Sequence, residues 1–241
     1  MTMKSFLIDL TRCTACRGCQ IACKQWNKLP ATETSNWGSH QNPKELNPDT
    51  YKLVRFEERI IEEKLHWLFF PEQCRHCVDP PCKAVGDGFA EGAVIQDPET
   101  GAVYYTDLSK EIDTDDPEEL CPYNIPRRNP ETGIWSKCTM CNDRVKNGLK
   151  PACVQVCPTG TMEFGDREDI LVLAQKRLET VKKDFPKAQL INEDTVNVIY
   201  LVGYDPAEYY EYLMADAGSL APSLFHRRQM FAGLRRMHRT G

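Results

Sequence analysis

Cys13-Thr14-Ala15-Cys16-Arg17-Gly18-Cys19-Gln20-Ile21-Ala22-Cys23 decides the reading of this chain. Three thiols recur at every third residue and a fourth follows four residues later. Neighbours this close cannot bridge as disulfides without strain. Structural zinc sites usually join two separated pairs, not one packed run. Thiolates two residues apart can instead wrap one cubane corner after corner, while the fourth leaves on a helix and reaches a second cluster. The run therefore points to iron–sulfur chemistry.

Outward from this run, the remaining cysteines fall into three groups: Cys74-x2-Cys77-x4-Cys82, the lone Cys121-Pro122, and Cys138-x2-Cys141-x11-Cys153-x3-Cys157-Pro158. All 12 cysteines lie between residues 13 and 157, and the last third of the chain has none. An even count admits disulfides, and the last group alone would pass as a zinc ribbon. A zinc-stapled structural protein is thus the alternative from another class. Iron and acid-labile sulfide separate the two readings.

The 241 residues suit one large or two small domains, and the apolar fraction of 41% is slightly low. Bound clusters would help to hold such a fold. The formal charge is −5 before any cluster is counted, and each oxidised 4Fe–4S core with four thiolates adds about −2. An acidic holoprotein disfavours a nucleic-acid partner and suits a basic protein partner. No apolar run reaches the length of a membrane helix, and Met1 to Leu10 lacks the pattern of an export signal. There is no glycine-rich dinucleotide fingerprint, phosphate loop or zinc protease motif. With every cysteine used as a ligand, no nucleophile remains, so substrate chemistry is expected in another subunit.

The rest of the chain reads more coarsely. Lys4 to Leu10 is a strand entering the first run, and Trp26 to Pro48 is loop. Tyr51 to Phe56 and Leu65 to Phe70 are short strands, and Gly92 to Thr106 is a hairpin turning at Asp97-Pro98-Glu99-Thr100-Gly101. Asp166 to Lys183 is an amphipathic helix with Ile170, Leu171, Ala174, Leu178 and Val181 on one face. Val196 to Val202 is a strand, and Tyr204 to Met214 is a short helix. The acidic stretch from Glu111 to Glu119 and the basic tail from His226 to Arg239 are partner-docking candidates, or else solvated segments. His76 reads as a neighbour of its cluster or a surface residue, not a ligand, because four cysteines complete that site. Arg12, Arg17, Lys24, Arg75, Lys83 and Lys137 flank cysteines and either offset cluster charge or are solvated.

The first run matches the bacterial ferredoxin pattern, with Lys24 where proline is usual. The order of all the runs resembles the iron–sulfur subunits serving molybdenum and tungsten enzymes of the dimethyl sulfoxide reductase family. The wording Ile8-Asp9-Leu10-Thr11-Arg12-Cys13 through Gln20 resembles the formate dehydrogenase beta subunit in particular. Members of the wider family often carry four runs and four clusters. Here the positions of four cysteines are held by Gly86, Glu111, Thr114 and Pro117, the last three in approximate register. Ligand exchange between paired runs makes those four one set, so one whole cluster is absent and no thiol is orphaned.

The resemblance implies an α+β fold of two ferredoxin-like 4Fe–4S domains with crossed chain halves. Residues 1–30 plus 132–165 would form the first, with two clusters, and 50–131 the second, with one cluster and one lost site. Residues 166–241 would form a C-terminal extension. The crossing rule gives three sets: Cys13, Cys16, Cys19 and Cys157; Cys23, Cys138, Cys141 and Cys153; and Cys74, Cys77, Cys82 and Cys121. The resemblance further implies a large catalytic alpha subunit in a heterodimer, holding a molybdenum or tungsten pterin centre. It implies a soluble acceptor such as a multihaem cytochrome c, and a periplasmic location reached by export with the partner, the alternative being cytoplasmic. The equivalent subunit of a polysulfide, thiosulfate or nitrate reductase, or of a hydrogenase, is the alternative within the same class.

Overall fold

The computed structural model describes residues 3–215; the basic tail proposed for docking lies outside the described residues. The strands are β1 (Lys4–Asp9), β2 (Leu53–Ile61), β3 (Lys64–Glu72), β4 (Val94–Gln96), β5 (Val103–Tyr105), β6 (Arg127–Arg128), β7 (Trp135–Ser136), β8 (Met162–Asp166), β9 (Gln189–Ile191) and β10 (Val198–Val202). The helices are α1 (Gly18–Trp26), α2 (Pro81–Phe89), α3 (Asn142–Lys146), α4 (Ala152–Gln155), α5 (Arg167–Val181) and α6 (Pro206–Tyr209). The fold is mixed α and β.

Four strands form the main sheet in the order β8-β1-β10-β9, with β1 and β10 parallel and the other two pairs antiparallel. Every residue of β10 is buried, as is all of β1 after Lys4. Continuous apolar runs such as Val198-Ile199-Tyr200-Leu201-Val202 suit strands covered on both faces. Leu7, Ile199 and Leu201 face α5, where Ile170 and Ala174 meet them. Phe6, Ile8, Val198 and Tyr200 face the other way, onto Val54, Phe70, Met140 and Cys153. The sheet is thus a wall between α5 and the cysteine-bearing half. It also joins the expected first cluster domain, through β1 and β8, to the expected C-terminal extension, through β9 and β10.

Strands β2 and β3 form one nine-residue-per-strand ribbon, longer than the two short strands expected. The hairpin of β4 and β5 turns on Asp97, whose carboxylate accepts the backbone N–H groups of Glu99 and Thr100 at 3.0 and 3.1 Å. The helix expected over Tyr204 to Met214 covers only Pro206–Tyr209. Tyr210 leaves the helix in extended backbone, residues 211–214 run as turns and bends, and the carbonyls of Tyr212 and Leu213 accept from the buried Arg75.

Candidate iron–sulfur centres

Three of the four Cys-x2-Cys loops are built the same way. Ala15, His76 and Met140 stand two residues after Cys13, Cys74 and Cys138, and all three adopt positive φ, between 45° and 63°. Left-handed backbone is unusual for residues with a side chain. Here it aims an N–H back at the first thiol of each loop. His76 N donates to Cys74 Sγ at 3.3 Å and Met140 N to Cys138 Sγ at 3.4 Å, and Ala15 N serves Cys13 likewise. In the first loop, β1 delivers the chain through a turn capped by Asp9, which accepts from Thr11 N at 3.1 Å. Cys19 and Cys23 then sit one helical turn apart on α1.

The structure gathers the cysteines into neighbourhoods. Cys23, Cys138, Cys141 and Cys153 line one cavity, together with Lys52 and Asn27. Cys74, Cys77, Cys82 and Cys121 line another, together with Lys137 and Tyr123. Cys13, Cys16 and Cys157 stand nearer the surface, Cys16 exposed, and Cys13 feels the charges of both others. Cys19 feels Cys13 and Cys16 but also Cys153, and Cys138 feels both Cys23 and Cys74. The three groups therefore stand in a row, with the Cys23 group in the middle.

Several of these thiols hold their protons tightly. Burial pushes Cys82 and Cys141 up to about 11 and Cys19 and Cys121 up to about 12, with neighbouring thiolates adding to the effect. Cys157 is the opposite case: burial opposes ionisation, but backbone donors at Met162, Thr159 and Thr161 and the Thr159 hydroxyl outweigh it and lower its pKa. Thiolates are the metal ligands, so loading this chain with iron must release protons. The donor set is all sulfur, which suits 4Fe–4S clusters held by four thiolates.

His76 is fully buried, and its Nδ1 accepts from Val103 N at 3.0 Å. That bond ties the Cys74 loop to β5. Of the flanking cations, Lys137 is buried beside the thiols, whereas Lys83 pairs with Asp87 at 2.5 Å, Lys24 binds the carbonyls of Pro30 and Asp49, and Arg17 lies over the Phe56 ring. Lys52 is a cation the sequence did not single out. It flanks no cysteine, yet the fold buries it against Cys153, Cys19 and Cys138.

The surroundings of Gly86, where the family pattern led us to expect a cysteine, are tightly packed. Gly86 lies on α2 against Val94 and Ile112, and Val85, Ala93, Ile112, Leu120 and Trp135 form one apolar cluster there.

Residues 65–167 match the family model of the 4Fe-4S dicluster domain. The chain is 54% identical over 213 residues to formate dehydrogenase 2 subunit beta (cytochrome c-553) of Nitratidesulfovibrio vulgaris, covering 87% of this chain and 97% of that one. It is 50% identical to the formate dehydrogenase subunit beta of Megalodesulfovibrio gigas, covering 88% and 99%. This chain belongs to the formate dehydrogenase beta-subunit family. The formate dehydrogenase-O iron-sulfur subunit of Escherichia coli is 41% identical over 178 residues, covering 73% of this chain and 57% of that one. As a formate dehydrogenase iron–sulfur subunit, the chain is an electron-transfer component of an oxidoreductase complex and a carrier of 4Fe–4S clusters. Among the described residues no helix is long and apolar enough to cross a membrane.

Proposed function

We propose that this subunit carries electrons from a pterin-containing catalytic alpha subunit through three 4Fe–4S clusters to a soluble c-type cytochrome, in the periplasm. The two chains would form a heterodimer exported through the partner's signal. The observation that carries this reading is the row of three cysteine groups, with the apolar cluster around Gly86 where a fourth would stand. The name of the Nitratidesulfovibrio vulgaris relative includes cytochrome c-553, which supports a cytochrome as acceptor.

A bound 4Fe–4S cubane takes up and returns one electron at a potential set by charge, hydrogen bonds and solvent exposure. The chain's residues supply the rest. Cys13, Cys16, Cys19 and Cys157 would hold the outermost centre, whose exposed Cys16 leaves it open to a partner. Cys23, Cys138, Cys141 and Cys153 would hold the middle one. Cys74, Cys77, Cys82 and Cys121 would hold the third, enclosed by Val103, Leu120 and Tyr123. The N–H groups of Ala15, His76 and Met140 place donors on ligand sulfurs, which favours charge there. This ligand scheme crosses residues 1–30 with 132–165 and leaves 50–131 as the single-cluster unit.

The test is anaerobic purification of the complex with formate-dependent reduction of a c-type cytochrome. About 12 iron and 12 sulfide per beta chain, after subtracting the alpha subunit's own cluster, is the expected count. About 16 of each would restore the fourth centre and overturn the three-centre reading. Zinc without sulfide would overturn the reading altogether.

A further inference from the structure

Two lysines are buried in the row of cysteine groups. Lys52 is 2% exposed and Lys137 4% exposed. Neither pairs with a carboxylate among the described residues. Lys52 Nζ donates to Gln73 Oε1 and reaches the Pro71 carbonyl at 3.5 Å. Lys137 Nζ donates to the Val103 carbonyl and reaches the Cys138 carbonyl at 3.4 Å. Amide and peptide oxygens satisfy the N–H groups but do not neutralise the charge. A buried ammonium without an anion is costly, so proteins place one only where a negative charge compensates it.

The placement of each lysine says where that charge lies. Lys52 lines the cavity of Cys23, Cys138, Cys141 and Cys153, and two residues on, Val54 N donates at 3.2 Å to the side-chain oxygen of Gln20, next to Cys19 of the outer group. Lys137 lines the cavity of Cys74, Cys77, Cys82 and Cys121, and its Nζ lies 3.4 Å from the carbonyl oxygen of Cys138 of the middle group. One lysine thus stands at each of the two junctions in the row.

We propose that Lys52 and Lys137 are fixed charges that raise the reduction potentials of the centres on either side of them, Lys52 at the first junction and Lys137 at the second. This rests on the three-centre reading above. Reduction adds negative charge, and a nearby permanent cation in a dry interior favours the reduced form. The middle centre lies beside both lysines and each end centre beside one. The pattern of shifts is therefore fixed in advance.

The experiment is an EPR-monitored redox titration of the intact complex carrying Lys52→Met or Lys137→Met. Lys52→Met lowers the potentials of the first and middle centres and spares the third. Lys137→Met lowers the middle and third and spares the first. At a fixed poise near the wild-type midpoint, the reduced-to-oxidised ratio of each affected centre falls about tenfold, equivalent to about 59 mV for one electron. Lys52→Arg and Lys137→Arg keep the charge and keep the wild-type potentials. Unmoved potentials in the Met variants, or an equal shift of all three centres, would overturn the assignment. Lys→Gln variants are the second neutral pair. If Met and Gln forms both fail to load iron, the lysine is a folding element and the proposal is wrong. A wild-type iron and sulfide count other than twelve would instead remove the three-centre reading, whatever the lysines do.

Discussion

A β-carbon built on Gly86 would lie 2.7 Å from Val94 Cγ2 and 3.5 Å from Ile112 Cδ1. Val94 and Ile112 are fully buried, and the branched Val94 side chain has one stiff rotamer to give. Gly86→Cys therefore overpacks the core and does not open a cluster site. The expected cost is about 1–3 kcal/mol, read as a lower thermal midpoint of the iron-loaded complex, with iron and sulfide per chain unchanged. An unchanged thermal midpoint would show that the space around Gly86 accepts a side chain.

The cysteine chemistry was legible because ligand spacing is local. Nothing local marked Lys52, whose neighbours Cys19, Cys138 and Cys153 are brought to it by the fold. Glu57-Glu58-Arg59 broke the apolar alternation, so the β2–β3 ribbon read as two short strands when its pairing runs from Leu53 with Glu72 to Ile61 with Lys64. Helix α2 was hidden by Pro80-Pro81 and by Gly86 and Gly88. Proline is well placed in a first helical turn, and Gly86 is set by what it touches. The parallel pairing of β1 with β10 joins residues some 190 positions apart, as in Phe6 with Val198, and no sequence pattern states a register at that range.

Arg55 and Glu72 hold the base of the ribbon. Arg55 Nε meets Glu72 Oε2 at 2.6 Å with both side chains buried, while Nη2 meets the half-exposed Glu45 at 2.7 Å and the guanidinium lies 3.7 Å from the Tyr210 ring centre. Removing one partner of a buried pair costs about 3–5 kcal/mol, and an exposed pair contributes about 1 kcal/mol or less. Glu72→Gln is expected near the lower figure, since Glu45 still compensates Arg55. Glu45→Ala should cost at most about 1 kcal/mol. Thermal midpoints of the two variants check the order, and an equal loss in both would contradict it.

Asp97 links the β4–β5 turn to α3. Its Oδ2 accepts from Asn142 Nδ2 at 3.1 Å and Lys146 Nζ at 2.5 Å, in addition to the two turn amides. Burial opposes its charge, but these donors win and hold its pKa well below the usual carboxylate value of 3.8. A depressed carboxylate contributes stability that is present above the unfolded pKa and lost as pH falls through the folded one. Asp97→Asn should therefore lower stability by about 1.5–3 kcal/mol at neutral pH. That deficit should stay flat from pH 8 to 5 and narrow only below about 4. Thermal midpoints across that range test it; a deficit that shrinks between pH 8 and 5 would assign the effect to another group.

Cys157 decides how the first and last cysteine runs are joined. It follows Cys153 by four residues, and the simplest local reading would put both on one centre. Cys153 lines the cavity of Cys23, Cys138 and Cys141, while Cys157 lies nearer the surface and acts on both Cys13 and Cys153. Backbone and Thr159 donors ready Cys157 as a thiolate at lower pH than its neighbours, as a ligand at an exposed centre needs. Cys157→Ser should remove the same EPR signal as Cys13→Ser and leave the signal lost in Cys153→Ser. If Cys157→Ser and Cys153→Ser erase one and the same signal, the two runs are not crossed, and the outer centre must draw its fourth ligand from elsewhere.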